Sequence, residues 1–280
     1  MAHQIPLIYV VGTSYSGSTL LGYILGSLPE VHNLGEVAFF SRSGDAGGEP
    51  CSCGKNSLDC PFWAPLHQKG FRVRHTLPFF DKMRIGMNTV VGRQSRISNT
   101  AENDEIRFMT KCLENIGRRE QAPLYLLDVS KSLWRLVRLI NCGRIDLKII
   151  YLRRDMRGNV SSFQKHKGGF LLGLFTYKVS NWLIRRFLEK NRMSHITVDY
   201  ERLCKETNSV LNEIGDYLKL DYKDCLQKVR CRDYHVASGN RGTRRQIAEN
   251  FSGLKYDDSW RSRFSKTQNT LLSLLERIGE

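Results

Sequence analysis

Between residues 9 and 25 the chain reads YVVGTSYSGSTLLGYIL. Gly12 and Gly17 frame four residues and are followed by Ser18 and Thr19, the spacing of a phosphate-binding loop. The lysine that grips the outer phosphates in nucleoside triphosphatases is replaced by Ser18. The run LIYVV at 7 to 11 is short, apolar and β-branched, which predicts a buried strand. Beyond the loop, Leu20, Leu21, Ile24, Leu25 and Leu28 fall on one helical stripe. A strand, a turn of small residues and a helix bring several backbone N–H groups and the positive end of a helix dipole to one point, where an anion belongs. Without the lysine, the loop argues against an ATP or GTP hydrolase.

Further runs at 124 to 129, 147 to 152 and 195 to 200 also read as buried strands, and helical periodicity recurs over 132 to 140 and 210 to 218. Alternating strands and helices predict an α/β fold, a central parallel sheet flanked by helices. With 280 residues, the whole of 1–280 is expected to form a single domain, and residues 41–66, rich in Gly, Ser and Pro, form an irregular Cys-containing insertion. No segment approaches the roughly 20 apolar residues that span a bilayer. The opening IPLIYVV lacks a basic leader and runs straight into the glycine loop, so it reads as a strand rather than a signal. Eight cysteines, mostly scattered, suit reduced thiols in a cytoplasmic protein. A formal charge of +15 implies an anionic partner or substrate. The basic residues are spread along the chain without a ladder of aromatics, so nucleic acid is not expected to be that partner.

The second informative stretch is KIIYLRRDMRGNVSSF, 148 to 163. A buried strand delivers Arg153, Arg154 and Arg157 at its C-terminal end, where open α/β sheets bind ligands. The planar guanidinium fork suits phosphate, and Ser162 lies two helical turns beyond Arg154, close enough to share one anion. The plainer alternative is that these arginines pair with Asp128, Asp146 or Asp155.

The loop SYSGSTLL, followed by LRRD with a Ser eight residues after Arg154, resembles the paired cofactor signatures of sulfotransferases that use 3′-phosphoadenosine-5′-phosphosulfate (PAPS). LGEV (34 to 37), CSCGKNSLDCPFW (51 to 63), LLDVSKS (126 to 132), DYERL (199 to 203), GNR (239 to 241) and DDSW (257 to 260) resemble segments of the bacterial branches in the same order. The resemblance implies a P-loop NTPase-like sulfotransferase fold. It also implies a cofactor site in which Ser14, Tyr15, Ser16, Gly17, Ser18 and Thr19 hold the 5′-phosphosulfate. Arg154 and Ser162 would hold the 3′-phosphate, Tyr200 would lie near the adenine, and Arg241 would close over the 3′-phosphate. The product cofactor would be adenosine 3′,5′-bisphosphate.

The family usually carries Lys or Arg where this chain has Tyr15, so the cation that stabilises the transferring group must come from elsewhere; Lys131, which matches a lysine of some relatives, is the candidate. Glu36 resembles the general base of tyrosylprotein sulfotransferases, with His32 and His166 behind it. In-line sulfuryl transfer to a hydroxyl or amine needs donors for the equatorial oxygens and a base, and no metal in principle. Cys51, Cys53 and Cys60, with His67 as a fourth ligand, make up a zinc set by count, but the spacing is not that of a standard finger. A local disulfide is a second reading, and a packed loop of free thiols with no metal is the expectation. The glycine-hinged apolar run in 163 to 192, with basic flanks, reads as a core helix with a solvated basic face; it could also wall a hydroxyl-bearing acceptor, or touch a membrane or lipid from the periphery. The alternative activity is a P-loop small-molecule kinase or phosphotransferase, for which Asp128 is the one obvious magnesium carboxylate.

Overall fold

The computed structural model describes residues 4–37, 48–69, 79–91, 102–117, 125–229 and 235–277. Residues 41–47 of the insertion and residue 124 of the second strand reading lie outside them. In chain order the first elements are β1 (Ile5–Gly12), α1 (Ser18–Leu25), β2 (Val31–Gly35), α2 (Ala64–Gln68), α3 (Phe79–Val91) and α4 (Glu102–Gly117). They are followed by β3 (Tyr125–Lys131), α5 (Leu133–Ile140), β4 (Ile145–Arg153), α6 (Met156–Lys167), α7 (Phe170–Lys190) and β5 (His195–Asp199). The last helices are α8 (Tyr200–Lys205), α9 (Thr207–Leu218), α10 (Cys225–Lys228), α11 (Arg241–Asn250) and α12 (Lys266–Arg277).

The five strands form one parallel sheet in the order β2-β3-β1-β4-β5. β1 lies at its centre because both of its faces are apolar. Leu7, Tyr9 and Val11 enter the core shared with α4, α5 and the C-terminal half of α7, whereas Ile8 and Val10 enter the core shared with α1, α8 and α9. Helices therefore cover both faces, as a parallel sheet requires. The chain runs from β1 to the edge strand β2, returns to β3 beside β1, and then crosses to β4 on the other side of β1. Ligands of open α/β sheets bind beside the strand C-termini at such a switch point.

The sheet holds one strand that the sequence reading lacked, and the last strand is one residue shorter than read. β2 was not anticipated: its sequence VHNLG has one β-branched residue and a His and an Asn that break the apolar run. The last strand ends at Asp199, and Tyr200 instead opens α8. The cysteine-bearing stretch 48–63 is irregular, as expected, and pairs through isolated bridges, Pro50 with Asn56 and Cys51 with Ala237. Among the described residues, no helix is long and apolar enough to cross a membrane.

Candidate active site

The C-terminal ends of β1, β2, β3 and β4 open onto a cleft of about 890 Å³. The phosphate loop forms its floor. Gly17 caps α1 in the left-handed region at φ 92, and a Cβ there would stand 2.6 Å from the Tyr200 ring. Only glycine serves both conditions. Tyr15 is also left-handed, φ 66, and its carbonyl accepts from Arg154 Nη1 at 3.1 Å. The Tyr15 ring stacks on His166 at 5.2 Å, and burial raises its phenol above the usual tyrosine range, so at neutral pH it is a hydrogen-bond donor. Ser14, Ser18 and Thr19 line the cleft. Ser16 is fully buried and does not line it; its Oγ has no hydrogen-bond partner among the described residues.

Arg154 joins the two signature stretches. It follows β4, is 8% exposed, and reaches Tyr15 O, Ser162 Oγ at 3.4 Å and Asp257 Oδ2 at 3.1 Å. The guanidinium lies over the Tyr200 ring, 4.7 Å from its centroid. Its Nε has no partner among the described residues. Arg154, Ser162 and Tyr200 thus share one wall beside the loop.

The other two arginines do not join them. Arg153 is paired with Asp199 at 2.8 Å, and Arg157 is held by Glu276, Ser273 and Asn269. Both are engaged by acceptors outside the cleft lining, Asp199 at the end of β5 and the residues of α12, rather than placed at a ligand-binding position. Arg241 is exposed at the start of α11 and does not line the cleft. Ser238, Gly239, Asn240 and Thr243 line it instead, with Asn240 N donating to Thr19 Oγ1 at 3.0 Å.

On the opposite side, Lys131 Nζ is bonded to Glu36 Oε1. Lys131 is the last residue of β3, and Glu36 follows β2, the strand beside it. Their side chains are mostly buried, and both line the cleft. His166 lines the cleft too; His32 does not. Asp128, the carboxylate a magnesium-dependent kinase would use, is fully buried and outside the cleft lining. Arg135 Nε binds it at 2.6 Å, and Ser130 N at 2.9 Å.

No protein-family model and no curated protein matches the sequence. Among solved structures, the sulfotransferase domain of the olefin synthase from Synechococcus PCC 7002 aligns over 99% of this chain and 96% of its own, with a TM-score of 0.56 at 18% identity. The sulfotransferase domain from the curacin biosynthetic pathway aligns over 98% of both chains, with a TM-score of 0.53 at 15% identity. This chain has the sulfotransferase fold.

Within that fold, Asn159, buried behind the phosphate loop, and Lys165, in the cleft lining, were not singled out from the sequence. Asn159 Nδ2 donates to Thr13 Oγ1 at 2.9 Å and Ser14 O at 2.8 Å, bracing the loop from α6. Its place one helical turn before Ser162 was the signal available. Lys165 brings a cation from the last turn of α6. Asp257, the first residue of the DDSW segment, accepts from Arg154 Nη2 at 3.1 Å, a pairing that sequence could not give because the two are 103 residues apart.

The zinc set suggested by the sequence also changes. His67 Nε2 bonds Ser57 Oγ at 3.1 Å, whereas His235 is the histidine that meets the thiols of Cys51, Cys53 and Cys60. His235 was invisible to a count of local spacing, being far away in sequence.

Proposed function

We propose that this protein is an enzyme that transfers the sulfuryl group of PAPS to an acceptor hydroxyl or amine. The observation that carries the reading is the convergence on one cleft of the loop, Arg154 with Ser162 and Tyr200, and the Glu36–Lys131 pair. The loop amides and the α1 N-terminus bind the 5′-phosphosulfate. Arg154 and Ser162 bind the 3′-phosphate, and the Tyr200 ring beside them supports the adenine. At the other end, Glu36 accepts the proton of the acceptor as its oxygen attacks sulfur in line. Lys131 neutralises charge on the equatorial oxygens, the task usually given to the residue at position 15. The leaving group is adenosine 3′,5′-bisphosphate.

The acceptor enters from α7, whose Thr176, Ser180, Leu183 and Ile184 line the cleft. The same helix leaves Leu171, Leu172 and Phe175 more than half exposed near its start, so its outer face is apolar rather than basic. That surface suits a hydroxyl-bearing acceptor with an apolar portion, presented at the periphery of a lipid surface.

Titration calorimetry with adenosine 3′,5′-bisphosphate in the absence of magnesium, beside ATP with magnesium, tests the cofactor. Tight binding of the bisphosphate and none of ATP is expected. The reverse preference would hand the loop to a kinase and remove the roles given to Arg154, Ser162 and Glu36. The burial of Asp128 under Arg135 already weighs against that alternative.

A further inference from the structure

The cysteine stretch and His235 converge outside the cleft. The Sγ atoms of Cys51, Cys53 and Cys60 and a ring nitrogen of His235 all lie within 4.8 Å of one another. The individual separations are 3.6 Å for Cys60 to Cys51, 3.7 Å for Cys53 to Cys60, 3.2 Å for Cys60 to His235 Nδ1 and 4.0 Å for Cys51 to His235 Nδ1. Tetrahedral zinc with ordinary bond lengths places two thiolate sulfurs about 3.8 Å apart and a sulfur and an imidazole nitrogen about 3.6 Å apart. The four atoms have that spacing. We propose that Cys51, Cys53, Cys60 and His235 form a structural zinc site.

The surroundings are those of such a site. Backbone amides of Phe62 and Trp63 point at the Cys60 sulfur, and such donors stabilise a thiolate ligand. A tight turn, with Gly54 at φ 83 and its N–H on Cys51 O at 3.1 Å, folds Cys53 back toward Cys51. His235 is fixed independently of the thiols, by Trp63 Nε1 donating to its carbonyl at 2.7 Å and by Phe62 stacked against its ring at 5.9 Å. Three Cys and one His complete a tetrahedral set, which describes a structural rather than a catalytic zinc.

The metal would join two segments that no disulfide among the described residues links. Residues 235–237 are laid between the cysteine stretch and the end of β2. Ser52 N donates to Val236 O, Ala237 N to Leu34 O, and Glu36 N to Ala237 O. Gly35, φ 77, is required there, since a Cβ would stand 2.2 Å from Ala237 O. Zinc at His235 therefore fixes the backbone that carries Glu36 on one side and Ser238 to Asn240 over the phosphate loop on the other. The ion itself takes no part in transfer.

Metal content of the full chain, purified under reducing conditions without a polyhistidine tag, tests the site without reference to activity. One zinc per chain is expected by elemental mass spectrometry, lost in Cys53→Ser and His235→Ala and kept in His67→Asn. Cobalt(II) added to the metal-free, reduced wild-type chain should give the intense d–d bands of a tetrahedral site with thiolate-to-cobalt charge transfer. That wild-type spectrum decides the matter even where a variant fails to fold. Absence of both zinc and a tetrahedral cobalt spectrum overturns the proposal, as does a disulfide among the three cysteines found by intact mass in the freshly purified chain. Zinc retained in His235→Ala but lost in His67→Asn would move the fourth ligand to His67 and overturn this set.

Discussion

Lys131 and Glu36 are ion-paired across the ends of two neighbouring strands, with side chains 13% and 11% exposed. Each is in part the environment of the other. Glu36→Gln should lower turnover roughly 10²–10⁴-fold, the range a positioned base contributes, and leave binding of the bisphosphate unchanged. Lys131→Met should also slow turnover, because it removes the cation and leaves a buried carboxylate without its partner. If the two act as a unit, the double variant falls no further than the worse single one. Steady-state transfer of labelled sulfate by the three variants checks this; losses that multiply would mean that the residues act independently.

Gly17 is held by two separate constraints, and a cycle of variants can tell them apart. Gly17→Ala forces a Cβ into the left-handed region, which costs roughly 1–2 kcal/mol, and drives it against the Tyr200 ring. In a Tyr200→Ala background the steric part disappears and the backbone part stays. The loss of thermal stability caused by Gly17→Ala should therefore be smaller in that background without vanishing. An equal loss in both backgrounds would mean that the ring does not set the limit.

The strands and the phosphate loop were legible in the sequence because both are local. LIYVV and LKIIYL declare buried strands by their composition, and the Gly12 to Thr19 spacing declares the turn between strand and helix. β2 was not legible, since a short strand carrying His32 and Asn33 has neither alternation nor an unbroken apolar run. Among the site residues, Arg154 and Ser162 are one helical segment apart and could be paired on paper. The pairings of Arg154 with Asp257, Lys131 with Glu36 and His235 with the cysteines join distant segments, and in a parallel α/β sheet the crossovers decide which distant segments meet. Arg153 and Arg157 looked as basic as Arg154; all three meet a carboxylate, and what separates them is that Arg154 lines the cleft beside Ser162 and Tyr200 whereas the other two are engaged outside its lining by Asp199 and Glu276.

Glu201 sets an expectation for pH. Its carboxyl is pushed up from 4.5 to about 7, first by burial and then by its contact with Asp155. A raised carboxyl pKa means that the folded state holds the proton more tightly than the unfolded one. Its contribution to stability is complete below the unfolded value of 4.5 and is lost as pH rises through about 7. Thermal unfolding of the wild type across that window should show a decline that Glu201→Gln, which keeps a neutral side chain of the same shape, removes. A variant that declines in parallel with the wild type would place the titration elsewhere.

Arg154 is 7% exposed at its side chain, and Asp257, its carboxylate partner, is 48% exposed. The guanidinium is buried, whereas the acid, otherwise held by Ser259 N at 3.2 Å, is half exposed. A 3′-phosphate arriving at Arg154 and Ser162 would meet Asp257 as a competitor of the same charge, one that can swing into water when displaced. Two substitutions should then move affinity in opposite directions. Arg154→Lys gives up the planar fork, and a charge-assisted hydrogen bond is worth about 1.5–3 kcal/mol. Affinity for adenosine 3′,5′-bisphosphate should fall by about tenfold or more, while adenosine 5′-phosphate, which lacks the 3′ group, changes little. Asp257→Asn removes the competing charge and should tighten the bisphosphate. If it weakens binding instead, Asp257 is a brace that keeps the guanidinium over Tyr200, and the phosphate must approach a face of Arg154 that the carboxylate leaves free.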